Sequence, residues 1–257
     1  MSNAIYKEFE GKVVVITGGA SGIGRATTLA FAKAGAKVAF TYATSADEAR
    51  EVEAEITRAG GTCLAVQADM TKPDIVEQVF VEAEKKLGPV DIVFANAGGL
   101  LKRVRCVDTS FEFWQDVIAV NLASTFLTCQ AALKRMEPRK QGAIITMSSQ
   151  AGFDGGGPGA SHYAATKGAI ATYTRGWAKE VAGLGIRVNG VAPGLIATRF
   201  HDTFNTPEGR KAAVEKTPLR REGQPDDVAD LVLFLASDRS SFLTGEVIQI
   251  NGGQAML

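Results

Sequence analysis

The stretch KVVVITGGASGIG, Lys12 to Gly24, decides how the rest of the chain is read. It joins a β-branched run to a glycine-rich turn, and the helix-compatible segment RATTLAFAKAG follows directly. Glycines permit a tight turn and let backbone N–H groups come close to a ligand. The N-terminus of the next helix then favours an anion such as a pyrophosphate. A glycine-rich turn alone is a weak sign, because many such loops bind nothing. After a first strand and at the mouth of a helix, it has the context a dinucleotide site requires.

Outward from this turn, short β-branched runs alternate with segments of helical length. The strands are expected at Lys12 to Thr17, Lys37 to Tyr42, Thr62 to Gln67, Asp91 to Asn96, Gly142 to Ser149, Ile186 to Pro193 and Glu246 to Gly252. Helices are expected between them, as at Ala46 to Ala59 and Pro73 to Leu87. Near-continuous Val/Ile runs bounded by turns suit strands buried on both faces, hence a parallel sheet covered by helices. The expected fold is α/β, a doubly wound Rossmann-type domain over residues 1–257 with about seven parallel strands. Ser45-Ala-Asp-Glu48 reads as a capping box, and Ala34-Gly35 and Ala59-Gly60-Gly61 read as glycine helix stops. There is no internal repeat, low-complexity tract or linker that divides the chain.

Composition narrows the partners. The 257 residues are 46% hydrophobic and 22% charged, an ordinary globular balance. Lys plus Arg and Asp plus Glu both number 28, so no global basic field attracts nucleic acid or an anionic membrane surface. The local run Lys102-Arg103-Val104-Arg105 reads as a solvated loop. Cys63, Cys106 and Cys129 lie far apart, and with His162 and His201 they form no metal-ligand cluster. Unpaired thiols suit a reducing interior, the N-terminal segment carries charges where a signal peptide needs an apolar core, and no apolar run reaches membrane-spanning length. A soluble cytoplasmic protein is expected.

The segment Tyr163-Ala-Ala-Thr-Lys167 carries the chemistry. On a helix the two polar residues share a face, and a nearby ammonium lowers the pKa of a phenol, making it a proton donor and acceptor. Helix packing for Tyr163 and a solvated charge for Lys167 is the alternative on this pair alone. Ser149 ends the strand GAIITMSS at the carboxyl edge, where ligands gather in open α/β sheets. Ser148 competes with it, but neighbouring strand residues face opposite sides.

TGGASGIG (Thr17 to Gly24), NAG (Asn96 to Gly98), YAATK, PG (Pro193-Gly194) and the ending LTGEVIQINGG stand in the order found in one family. Over essentially its whole length the chain resembles the short-chain dehydrogenases/reductases. That resemblance implies an NAD(P)-dependent oxidoreductase moving a hydride between a nicotinamide and a carbonyl or secondary alcohol. Tyr163 would be the acid/base and Ser149 would orient the substrate oxygen, the pattern SSQAG selecting it over Ser148. Lys167 would lower the tyrosine pKa and bind the ribose, and Asn121 would hold a water in the proton relay, a role compatible with a helix-starting asparagine. Cofactor contacts are implied for Gly18, Ser21, Gly22, Ile23 and Gly24; for Tyr42, Ala43, Thr44 and Ser45; and for Asp69 and Met70. The same holds for Asn96, Ala97 and Gly98, for Tyr163 and Lys167, and for Pro193, Gly194, Ile196 and Thr198.

Gln150, Phe153, His162 and Phe204 are candidates for the substrate pocket, beneath a lid near Phe200 to Pro218. Two departures stand out. Ala95 replaces a frequent asparagine, and the loop from Ser149 to Tyr163, with Gly155 to Gly157, is one residue longer than usual. The second strand ends in Tyr42-Ala-Thr-Ser45 and not in the carboxylate that would repel a 2′-phosphate, so NADP(H) is favoured over NAD(H). Ser21 stands where many NADP enzymes of the family carry arginine, and Asp47 and Glu48 are close. Small residues on the catalytic helix, Ala164, Ala165, Gly168, Ala169 and Ala171, suit the family's homotetramer. An inactive cofactor sensor or scaffold, and a sugar-nucleotide epimerase or dehydratase, are the rival readings.

Overall fold

The computed structural model describes residues 7–204 and 206–256. The runs of Val and Ile form a 7-stranded sheet in the order β3-β2-β1-β4-β5-β6-β7, parallel at every pairing. The strands are β1 Val13–Ile16, β2 Lys37–Tyr42, β3 Thr62–Gln67, β4 Val90–Ala95, β5 Gly142–Met147, β6 Ile186–Pro193 and β7 Val247–Ile250. Because the order reverses at β1, the crevice between the carboxyl ends of β1 and β4 is where a ligand is expected.

Helices cover both faces: α1 Gly22–Lys33, α2 Ala46–Arg58, α3 Pro73–Leu87, α4 Phe111–Ile118, α5 Ser124–Met136, α6 Ala151–Asp154, α7 Ser161–Val181, α8 Arg199–Phe204, α9 Pro207–Lys216 and α10 Pro225–Ala236. Each face has its own core. Val13, Val15, Val93 and Ile144 point to the side of α3, α5 and α7, while Val14, Ile16, Ile92 and Phe94 point to the side of α1 and α10. This is the period-2 alternation of buried strands.

Three local expectations are corrected. Ser45 stands before α2 but makes no side-chain cap, and Glu48 pairs with Arg199 instead of reaching back. The Glu48 carboxylate is already met by its own backbone amide and by the Arg199 guanidinium. A carboxylate does reach back where α10 begins, Asp227 Oδ2 accepting from the Gln224 amide at 2.7 Å. Asn121 is no helix start: it lies in a single π turn, Ala119–Ala123, inside the continuous helical run from α4 into α5. That run, Phe111–Arg139, is long and apolar enough to cross a bilayer by length and composition, which its interspersed Asn, Ser and Thr conceal in the sequence. Here α5 packs on α3 and on the sheet.

Candidate active site

The glycine turn is locked by side chains from the neighbouring strand. Asn96 Nδ2 donates to the carbonyls of Thr17 (2.9 Å) and Gly18 (3.1 Å), while Thr17 Oγ1 accepts from the amides of Asn96 and Ala97. Gly18 has φ +66°, in the left-handed region that favours glycine. Ser21 precedes α1 without capping it, so the first N–H groups of that helix open onto the space above the turn. A Cβ on Gly22 would already lie 3.4 Å from Thr198 Cγ2, which fixes the height of the roof over the turn.

That space is part of one cavity of about 600 Å³ along the carboxyl ends of the strands. Every position to which the resemblance gave cofactor contact lines it, from Gly18 through Tyr42 to Ser45, Asp69, Met70, Asn96 to Gly98 and on to Thr198. The residues therefore fit a dinucleotide: glycine backbone and an uncapped helix for phosphates, apolar Ile23 and Ile196, and Asp69 near one end. Asp69 Oδ1 accepts from the Thr71 amide and hydroxyl, and those bonds hold its carboxyl below the usual range.

At the far end of the cavity stand Ser149, Tyr163 and Lys167. The strand expected to run through Ser149 ends at Met147. Ser148 and Ser149 lie just past it and both line the cavity, so their partners and not strand alternation tell them apart. Ser148 Oγ donates to the Lys167 carbonyl at 2.8 Å and is buried, whereas Ser149 shares a hydrogen bond with the Tyr163 hydroxyl. Lys167 Nζ lies 5.5 Å from the centre of the Tyr163 ring and donates to the Met147 carbonyl at 2.8 Å.

The expected lowering of the phenol is not found in the protein chain. Burial pushes Tyr163 up to about 12, with the Ser149 hydrogen bond acting the other way. Burial also pushes Lys167 down to about 7, so at neutral pH it supplies only part of a charge. Lys167 is 2% exposed. Its lowered pKa means that the unfolded chain holds the proton more tightly, so its cost to stability is full below pH 7 and fades as pH rises towards 10. Relative to Lys167→Met, the wild type should gain up to about 2 kcal/mol of unfolding free energy between roughly pH 7.5 and 9.5. Denaturant titrations at the two pH values measure this, and an unchanged difference would mean an ordinary lysine.

Asn121 does not line the cavity. Its side chain is fully buried and clamps Gly99 from behind, Oδ1 accepting from the Gly99 amide and Nδ2 donating to the carbonyls of Gly99 and Val117. A Cβ on Gly98 would lie 2.6 Å from Asn121 Oδ1 and 3.4 Å from Lys167 Nζ, so the two side chains meet across that glycine. Gln150, Phe153, His162 and Phe204 are also outside the cavity lining. His162 packs edge-on against Phe113, and Phe204 lies behind Phe200, whose ring is 6.0 Å from Tyr163. Leu101, Val120 and Met147 are apolar lining that sequence reasoning missed, and Phe200, the first residue of the expected lid, lines the cavity with them. The glycine loop is pinned: Arg103 donates to the carbonyls of Pro158 and Phe204, and the Val104 amide donates to Gly159.

Comparison with known proteins gives the family. Residues 18–255 match the family model described as Enoyl-(Acyl carrier protein) reductase. A 3-oxoacyl-[acyl-carrier-protein] reductase of Synechocystis sp. is 38% identical over 95% of this chain and 97% of its own. The 3-oxoacyl-[acyl-carrier-protein] reductase FabG of Thermotoga maritima is 41% identical over 95% and 98%. A solved Serratia marcescens short-chain dehydrogenase/reductase, in a doubly substituted form, superposes with a TM-score of 0.90 at 33% identity, covering 96% of this chain and 99% of its own. With a parallel sheet reversing at β1, a glycine turn at that crevice and a tyrosine–lysine pair at its far end, the chain belongs to the short-chain dehydrogenase/reductase family.

Proposed function

We propose that this oxidoreductase is an NADP(H)-dependent ketone reductase acting on 3-oxoacyl thioesters. The observation that carries the reading is the single cavity that connects the glycine turn to Ser149, Tyr163 and Lys167. A nicotinamide cofactor, when bound, supplies the hydride. The chain's own residues manage the proton. A phenol pushed up to about 12 stays protonated at neutral pH, which suits Tyr163 as an acid toward a carbonyl oxygen. Ser149, already bonded to that hydroxyl, is placed to share the same oxygen and stabilise its developing charge. Lys167 bears on the back of the tyrosine ring, and Asn121 holds the Gly98-Gly99 backbone against it.

The matching family description speaks of an enoyl substrate and the relatives of a 3-oxoacyl one. The relatives favour the ketone, whose oxygen sits on the carbon that takes the hydride and can accept from both hydroxyls. The absence of a carboxylate from Tyr42 to Ser45 favours NADP(H).

A cytoplasmic setting fits the free thiols Cys63, Cys106 and Cys129. Assembly as a homotetramer is supported by the exposed aromatics Phe111 and Trp114, stacked on each other, and Tyr173, stacked on the buried Trp177. Part of the small-residue stripe on α7 is used within the subunit, because Gly168 sits against the backbone of Gly152.

Protein of tetramer mass by light scattering, given NADPH, should reduce acetoacetyl-CoA and leave crotonyl-CoA essentially untouched, followed at the nicotinamide absorbance. Reduction of the crotonyl thioester alone would overturn the substrate assignment. A monomer mass would overturn the assembly.

A further inference from the structure

Among the described residues that line the cavity, the cations are Lys167 and Arg199. Lys167 is buried beside Tyr163 and tied to the Met147 carbonyl, so Arg199 is the exposed cation of the lining. It opens α8, one residue after Thr198, which roofs Gly22 of the glycine turn. Its side chain runs past that turn to pair with Glu48 in the first turn of α2, 151 positions away in sequence. The guanidinium is thus held above the segment that follows β2, where Thr44 and Ser45 line the same cavity. It does not pair with any group on the pyrophosphate turn. The neighbouring Asp47 is occupied by Arg50.

We infer that Arg199 is the specificity-determining cation for the cofactor's 2′-phosphate, reaching it from the lid and standing in for the arginine absent at Ser21. This rests on the NADP(H) reading above. Glu48 acts as a holding partner. The Arg199 side chain is 79% exposed, and an exposed ion pair is worth little in water, so the guanidinium can turn from a carboxylate to a doubly charged phosphate at small cost. A guanidinium presents a planar fork of donors that matches a phosphate, which a lysine ammonium lacks.

The test is calorimetric and needs no turnover. Adenosine 2′,5′-bisphosphate and AMP share the adenine, ribose and 5′-phosphate, so the difference between them isolates the 2′-phosphate. Arg199→Ala should weaken the bisphosphate by about ten- to a hundredfold and AMP by less than about twofold. Arg199→Lys should recover part of the loss. Glu48→Gln should tighten the bisphosphate, because the competing carboxylate is gone. Equal weakening of both ligands by Arg199→Ala would place Arg199 on the 5′ side and overturn the inference, as would no change in either. A wild type that favours the bisphosphate, with the preference surviving in Arg199→Ala, refutes this inference alone. A wild type that binds AMP better refutes the NADP(H) reading itself.

Discussion

Tyr163→Phe keeps its affinity for the nicotinamide cofactor and loses turnover by about 10²- to 10⁴-fold, the usual contribution of a positioned acid. The substitution removes one oxygen and leaves the ring. The ring supplies the packing: it lies 6.0 Å from Phe200 and under Lys167 Nζ. The lost hydroxyl bonds only to Ser149 among the contacts described, and that serine also accepts from the Ala151 amide, so it stays satisfied. Folding and cofactor binding should therefore be near normal, and steady-state kinetics with cofactor titration separates the two effects. A kcat within threefold of wild type would remove Tyr163 from the chemistry.

Gly24→Ala is expected to abolish measurable dinucleotide binding and to destabilise the fold by about 2–4 kcal/mol. A Cβ there would lie 2.0 Å from the Gly18 carbonyl oxygen and 2.7 Å from Asn96 Nδ2. Nothing at the end of a flexible side chain can yield, because the obstacle is the backbone of the turn and the amide that braces it. Moving that backbone breaks the Asn96 bonds to Thr17 and Gly18 together. Gly176→Ala is the contrast. It sits mid-helix in α7 with nothing within 4 Å of the added carbon, and should stabilise by roughly 0.5–1 kcal/mol. Thermal melts of both variants, with and without NADPH, read stability and binding at once. An NADPH-dependent rise in the melting temperature of Gly24→Ala would contradict the turn's role.

The elements legible in the sequence are those set by local chemistry. β2, β3 and β6 occupy the spans that their β-branched runs suggest, and the glycine turn lies between β1 and α1. Motifs on rigid strand ends and helices were readable for the same reason, since an element fixes where its side chains point. What escaped depends on contacts between distant segments. Ser45 and Glu48 have the right spacing for a capping box, but Arg199, far along the chain, takes the carboxylate. Gln150, Phe153, His162 and Phe204 are close in sequence to pocket residues, yet lie outside this lining, to which Leu101 and Val120 contribute. Asn121 sits in a run whose composition is ordinary helix, and an i→i+5 turn leaves no compositional mark. The direction of the tyrosine shift needed the burial around it, which no spacing reveals.

The π turn at Ala119–Ala123 has a consequence for how this chain tolerates length changes. One extra residue in a helix offsets everything before it by about 100° around the axis relative to everything after it. α4 therefore shows the solvent Phe111 and Trp114 in a phase that a plain helix continuous with α5 could not match. Removing a single residue between Val117 and Ser124 would relax the turn to ordinary α geometry. It would also swing α4 by that same angle, carry the aromatic pair round the cylinder, and withdraw the amide that grips Gly99. Insertions in the exposed loops should be absorbed, whereas this apparently uniform helix carries a fixed count of residues, and a deletion there would be felt at the tyrosine and on the outer surface together.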